Sequence, residues 1–288
     1  MRHSLINYLR MIKIEHSLFA LPFALTAMVL AAQGTPLFRT LMWILFCMVC
    51  ARSGAMGFNR WADAEIDAKN SRTSNREIPK GKITKTTAFI FTIASFILFV
   101  AGAAQLNRLS FFLSPIPIII FIVYSYSKRF TILCHLFLGI ALGLAPIGAW
   151  IAVTGTFSKS ILFLAIGVTV WCCAFDLLYS LLDEDFDRKE GLFSLPARYG
   201  KVLTLLTARY LHFLAFILFF IHGAEFSLGA VYFSGLLIAG GLLLYEHYLV
   251  SMYGYAKLNT AFFSMNAIIS IILFVATVAD VAIYGYRG

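Results

Sequence analysis

Apolar residues in this chain collect into nine runs, at about 17–33, 40–60, 86–105, 110–126, 132–153, 160–182, 203–222, 228–250 and 261–284. Each is close to the ~20 residues that a helix needs to cross the ~30 Å hydrocarbon core of a bilayer. The pattern predicts an all-α polytopic membrane protein with nine transmembrane helices. The run at 110–126 is short and contains Pro115 and Pro117. Pro22 and Pro146 are expected to kink the helices that hold them. Nine such helices use about 180 residues, so only short loops remain and residues 1–288 form a single membrane domain. The first run follows basic residues and ends near Ala31-Ala32, as a secretory signal would. The many spans behind it favour a retained first helix instead.

Composition agrees. Of 288 residues, 60% are hydrophobic and 13% charged, and the mean hydropathy is +0.84. Soluble domains average about 45–50% apolar and about 25% charged residues, so the chain belongs in a lipid bilayer. A net charge of +9 could suggest nucleic acid, but the positive-inside rule accounts for it and no nucleic-acid partner is expected. With the N-terminus inside, the inner segments hold Arg2, Arg10, Lys13, Lys69, Arg72, Arg76, Lys80, Lys82, Lys85, Lys128, Arg129, Arg188, Lys189, Arg198, Lys201 and Lys257. The outer segments hold only Arg39, Arg108, Lys159 and Arg287. Sixteen against four predicts an N-in, C-out topology. Such a short, loop-poor chain fits a bacterial inner membrane.

Against this apolar background two acidic motifs stand out: Asn59-Arg60-Trp61-Ala62-Asp63-Ala64-Glu65-Ile66-Asp67 and Tyr179-Ser180-Leu181-Leu182-Asp183-Glu184-Asp185-Phe186-Asp187. Each ends in aspartates four residues apart, and Asp183 and Asp187 follow Asp63 and Asp67 by 120 residues. On a helix that spacing advances ~6 Å and turns ~40°, so both carboxylates face one way. Asn59 lies one turn before Asp63, and Asp176 and Ser180 continue the second face. Both motifs end even-numbered spans and run into basic loops, so both are expected at the cytoplasmic side. One such pair alone is more often a solvated helix end. Two at matching depth point to a site, because carboxylates at a membrane boundary are costly.

Four facing carboxylates suit Mg²⁺, which commonly joins one or two carboxylates to substrate phosphates. Asp63, Asp67, Asp183 and Asp187 are the candidate ligands. Arg72, Arg76, Lys128, Arg129 and Arg188 lie on the same predicted side and can neutralise phosphate oxygens. The implied chemistry is loss of diphosphate from an allylic substrate, whose apolar tail explains a site in a membrane. The rival is a cation-coupled transporter, but transporters place such charges near the bilayer midplane. Cys47-Met48-Val49-Cys50 has a CxxC spacing, yet lies in an apolar run without partner ligands. It and Cys134, Cys172 and Cys173 are expected to be small buried residues. The six histidines form no metal-binding pattern.

These residues resemble the UbiA superfamily of intramembrane aromatic prenyltransferases over nearly the whole chain. The family's NxxxDxxxD signature matches Asn59, Asp63 and Asp67, and its second acidic signature matches Asp183 and Asp187 behind Asp176 and Tyr179. Tyr124 to Arg129 is similar to its tyrosine-then-Lys-Arg loop, and Arg72 to Gly81 to its basic loop. The resemblance implies nine helices around a central cavity, with Mg²⁺ and a polyprenyl diphosphate at the cytoplasmic end. The prenyl group passes to a ring carbon of a hydroxylated aromatic acid, as in ubiquinone or menaquinone biosynthesis. Asn59 and the four aspartates then bind metal and diphosphate, with Arg72, Lys128 and Arg188 as further diphosphate contacts. Asp176 and Tyr179 are further substrate-binding positions. Arg60 stands where the 4-hydroxybenzoate enzymes commonly carry Asp. The wording around both motifs resembles a branch tied to menaquinone made by the futalosine route, whose acceptor is a dihydroxynaphthoate. Arg60 or Arg52 is the candidate cation for the acceptor carboxylate.

Overall fold

The computed structural model describes residues 7, 8, 11, 12, 19–253 and 264–287. Arg2, Arg10, Lys13 and Lys257 of the topology count lie outside the described residues, as do the ends of the first and last predicted spans. Every regular element among the described residues is helical: α1 (Leu21–Ala31), α2 (Phe38–Ala62), α3 (Ala64–Lys69), α4 (Lys85–Leu106), α5 (Arg108–Leu113), α6 (Pro115–Ser127), α7 (Cys134–Thr154), α8 (Ile161–Ser180), α9 (Glu184–Glu190), α10 (Leu195–Glu225), α11 (Ala230–Tyr253) and α12 (Asn266–Tyr284). Eight helical segments are long and apolar enough to cross a membrane, counting α5–α6 and α8–α9 as one each. The predicted first span appears as α1, with 11 described residues. Pro22 does not kink it, because it sits in the first turn, where its missing N–H costs no hydrogen bond. Pro146 does lie inside α7.

Helix α8 is the central post, packed between α7 and α10. Its Trp171 is fully buried, and Phe23 of α1 meets Trp171 at 5.3 Å and stacks on Phe219 of α10 at 5.6 Å. Lipid tails are as apolar as these side chains, so close packing rather than water exclusion must hold the helices together. Small residues permit it: a Cβ on Gly139 or Gly143 of α7 would run into Thr169 or Ala165 of α8. On the far side of the bundle, Asp280 of α12 accepts from the backbone N–H groups of Gly229 and Tyr232 at 2.8 and 3.0 Å, satisfying the start of α11. The five cysteines are buried and free, as expected.

Helices α2, α4, α5–α6 and α7 wall a cavity of about 340 Å³ with almost wholly apolar lining. Arg52 and Tyr124 stand near one end, and Leu106, Ala152 and Phe157 line the other. Tyr124 in turn lies within electrostatic reach of Asp63 and Asp176.

Candidate active site

The helical geometry expected through each acidic motif is interrupted, at the same place in both. Helix α2 stops at Ala62, and Asp63 takes φ −94°, ψ 7° before α3 begins. Helix α8 tightens into one 3₁₀ turn, Leu181–Asp183, and Asp183 takes φ −110°, ψ 5° before α9. Both aspartates thus occupy the sparsely populated bridge region, where active-site residues recur. The i→i+4 bond from the Asp67 amide to the Asp63 carbonyl survives at 2.8 Å, so the break re-aims the carboxylates without parting them. Gly191 ends α9 in the left-handed region (φ 71°), which turns the chain sharply behind Asp187.

Around Asp63 three donors converge: Asn59 Nδ2, Lys128 Nζ and an Arg129 Nη, each at 3.2 Å. Arg129 also donates to the Ala62 carbonyl at 2.6 Å, capping the end of α2. Asp67 binds Arg76 at 2.6 Å through one oxygen. Its other oxygen, Oδ2, is buried without a hydrogen-bond partner among the described residues. Across the site, Asp183 accepts from Asn70 Nδ2 and Arg72 Nε, each at 2.9 Å, and from a second Arg72 nitrogen. Arg72 also donates to the Tyr179 hydroxyl at 2.9 Å and lies over its ring. Burial works against the Arg72 charge, but the hydrogen bonds and charge of Asp183 outweigh it, raising its pKa. Arg72 is therefore a permanent cation. Asp187 is buried and lies within electrostatic reach of Asp183, Lys128 and His135.

Segments distant in sequence are tied together here. Arg72 and Asn70 from the loop after the first motif hold Asp183 of the second. Lys69 pairs with Glu190 at 2.8 Å, and the Phe193 amide donates to the Lys128 carbonyl at 2.7 Å. Of the sequence-predicted residues, the fold gathers Asn59, Asp63, Asp67, Arg72, Lys128, Tyr179, Asp183 and Asp187. Arg188 does not join them: it turns back to Glu184 at 2.9 Å and the Ala197 carbonyl at 3.4 Å. Arg60 is buried, in the field of Arg76, Asp67, Tyr124 and Arg52. Asp176 lies two turns before Asp183 and pairs with His135 at 2.7 Å. Asn70 and His135 had no signal in the sequence, because each acts through a partner more than forty residues away.

The donors are hard oxygens faced by an equal number of Lys and Arg cations. No three His, Cys, Asp or Glu side chains among the described residues converge tightly enough to hold an ion by themselves. Mg²⁺ does not require that, since it takes one or two carboxylates and fills its octahedron with phosphate and water oxygens. The unpartnered Asp67 oxygen is suited to such an ion.

The model of the UbiA prenyltransferase family matches residues 20–268. The chain is 32% identical over 235 residues to a 4-hydroxybenzoate octaprenyltransferase of Vibrio campbellii, covering 78% of each chain. It is 33% identical over 242 residues to the protein of that name in Vibrio cholerae, covering 81% of this chain and 82% of the relative. The apo structure of a UbiA homolog from Aeropyrum pernix superposes with a TM-score of 0.85 at 28% identity, over 93% of this chain and 98% of that one. A UbiA homolog from Archaeoglobus fulgidus bound to DMAPP and Mg²⁺ shares the fold at a TM-score of 0.72 and 20% identity, over 96% and 99% of the two chains.

Proposed function

Since the chain belongs to the UbiA prenyltransferase family, we propose that it moves a polyprenyl group from its diphosphate to a ring carbon of a hydroxylated aromatic acid. One observation carries this reading: two acidic motifs 120 residues apart interlock through Arg72 and Asn70, with Lys128 on Asp63, and Asp63 lies within electrostatic reach of Tyr124 in the lining of an apolar cavity. Charged oxygens and cations at the rim suit a diphosphate, and the apolar chamber suits a prenyl tail. Asp63, Asp67, Asp183 and Asp187 would hold Mg²⁺, which supplies Lewis-acid stabilisation of the departing diphosphate. The residues of the chain do the rest. Lys128, Arg129, Arg72 and Arg76 neutralise the oxygens that gain charge as the C–O bond breaks. Asn59 orients Asp63, and Tyr179 orients Arg72. Arg52, about 10 Å or two turns deeper along α2 than Asn59, lines the cavity and is the cation suited to the acceptor carboxylate.

The related Vibrio proteins are named for 4-hydroxybenzoate, which favours an acceptor of that type and a role in ubiquinone synthesis. Buried Arg60, replacing the acidic residue of that pattern, favours a dihydroxynaphthoate and menaquinone synthesis. We place the protein in a bacterial inner membrane with its N-terminus and site toward the cytoplasm, on the charge asymmetry of its loops. The test is prenyl transfer by purified protein in detergent, with and without Mg²⁺, offering the two acceptors side by side. A Mg²⁺-dependent product with one acceptor assigns the pathway. No product with either, and no diphosphate release, would leave a cation-coupled transporter as the better reading of the carboxylates.

A further inference from the structure

The prenyl-transfer reading leaves one reacting group without an assigned partner, the ring proton that must depart after the new C–C bond forms. We propose that Asp176 is the base that receives it, and that His135 is the positioning residue that aims the Asp176 carboxylate; this rests on the function proposed above. Asp176 sits on α8 seven residues, two turns or about 10 Å, deeper than Asp183. Its Oδ2 meets His135 Nδ1 at 2.7 Å. An ionised carboxylate can only accept, so Nδ1 carries the proton of this bond.

Three observations set this carboxylate apart. Asp63, Asp67 and Asp183 are each bound to a Lys or Arg that belongs to the diphosphate site, whereas the hydrogen-bond partner of Asp176 is an imidazole. Phe175 and Leu177 beside it are 2% and 3% exposed, yet the Asp176 side chain keeps 18% of its surface accessible. Its electrostatic neighbours include Tyr124, and Cys172 lies in the joint field of Asp176 and Arg52. Tyr124 and Arg52 both line the cavity. The carboxylate thus lies two turns from Asp183 on the same helix and within electrostatic reach of Tyr124, which lines the chamber where an aromatic acid would lie. A carboxylate kept only to latch α7 to α8 would be a costly choice inside a membrane, where an apolar pair packs as well.

The step balances. The prenyl C1–O bond breaks and its electron pair leaves on the diphosphate. A π pair of the ring forms the C–C bond to C1. The C–H pair then returns to the ring, and the proton passes to Asp176, leaving a neutral carboxyl that keeps its hydrogen bond to His135.

The experiment measures product formation by the full chain with an acceptor carrying hydrogen or deuterium at the substituted ring carbon. General bases contribute roughly 100-fold or more, so Asp176→Asn, which preserves shape, should slow product formation by about that factor. A primary isotope effect absent from the wild type should then appear, because proton loss has become the slow step. His135→Leu, which leaves the carboxylate unaimed, should also slow the reaction and expose the isotope effect. His135→Gln retains an N–H donor and should restore near wild-type turnover without one. Asp176→Asn turnover within about tenfold of wild type, or slow Asp176→Asn and His135→Leu variants with no isotope effect, would reduce the dyad to a packing latch. If Asp176→Asn cannot be purified, the contrast between Gln and Leu at position 135 decides alone. A wild-type protein that forms no product would instead overturn the function proposed above.

Discussion

Arg72 and Arg188 both follow an acidic motif closely, yet only Arg72 reaches a carboxylate of the opposite motif, while Arg188 pairs with Glu184 on its own helix. Sequence proximity makes them equivalent; the direction of each side chain separates them. Removing a preorganised charge at a site of this kind typically costs 10²–10³-fold in rate. Arg72→Ala, Asp63→Asn and Asp183→Asn should therefore each lower turnover by about 100-fold or more. The variants should still insert and elute as folded protein, which gel filtration checks. Arg188→Ala removes an exposed i,i+4 pair worth about 0.3–0.5 kcal/mol, and its turnover should stay near wild type. Loss of activity in Arg188→Ala comparable with Arg72→Ala would show that Arg188 moves into the site when substrate binds. Asp176 was legible as part of a helical face, but its His135 partner was not, because hydrogen bonds between helices leave no trace in local spacing.

At the level of elements, hydrophobic run length set the helices closely, since burying a backbone in lipid leaves the chain little alternative to a helix. The junctions were less legible. The four-residue spacing reads each pair of aspartates as lying on a helix, whereas Asp63 and Asp183 both take non-helical ψ angles at a helix junction. Gly200 likewise divides α10 with a φ of 78°, so its apolar run starts well after Leu195. The close contact of α7 with α8 depends on Gly139 and Gly143. Overpacking of this kind costs typically 1–3 kcal/mol. Gly139→Val or Gly143→Val should lower the thermal midpoint in detergent by several degrees. An unchanged midpoint would mean that the two helices separate without penalty. Gly148, whose added Cβ meets nothing, is the control for such a substitution.

For the molecule as a whole, charge asymmetry predicts that the loop at Lys80 faces the cytoplasm. A cysteine introduced there should react with a membrane-impermeant thiol reagent in inverted vesicles but not in intact cells; the opposite pattern would reverse the topology. Chelation of Mg²⁺ should abolish turnover while the helical circular dichroism persists, because α8 packs against α7 and α10 through Ile161–Ser180, which holds none of the four carboxylates proposed to bind the ion. By itself the sequence determined the membrane class, nearly every span and the two acidic motifs, since length, hydropathy and four-residue spacing are local quantities that a bilayer reads directly. Only the tertiary structure decided that Arg72 and Asn70 cross over to Asp183, that Lys128 serves Asp63, that Arg188 turns away and that Asp176 meets His135. Those pairings depend on how helices far apart in the chain are rotated and stacked against one another. That rotation is fixed by the summed packing of many small contacts and is written in no single motif.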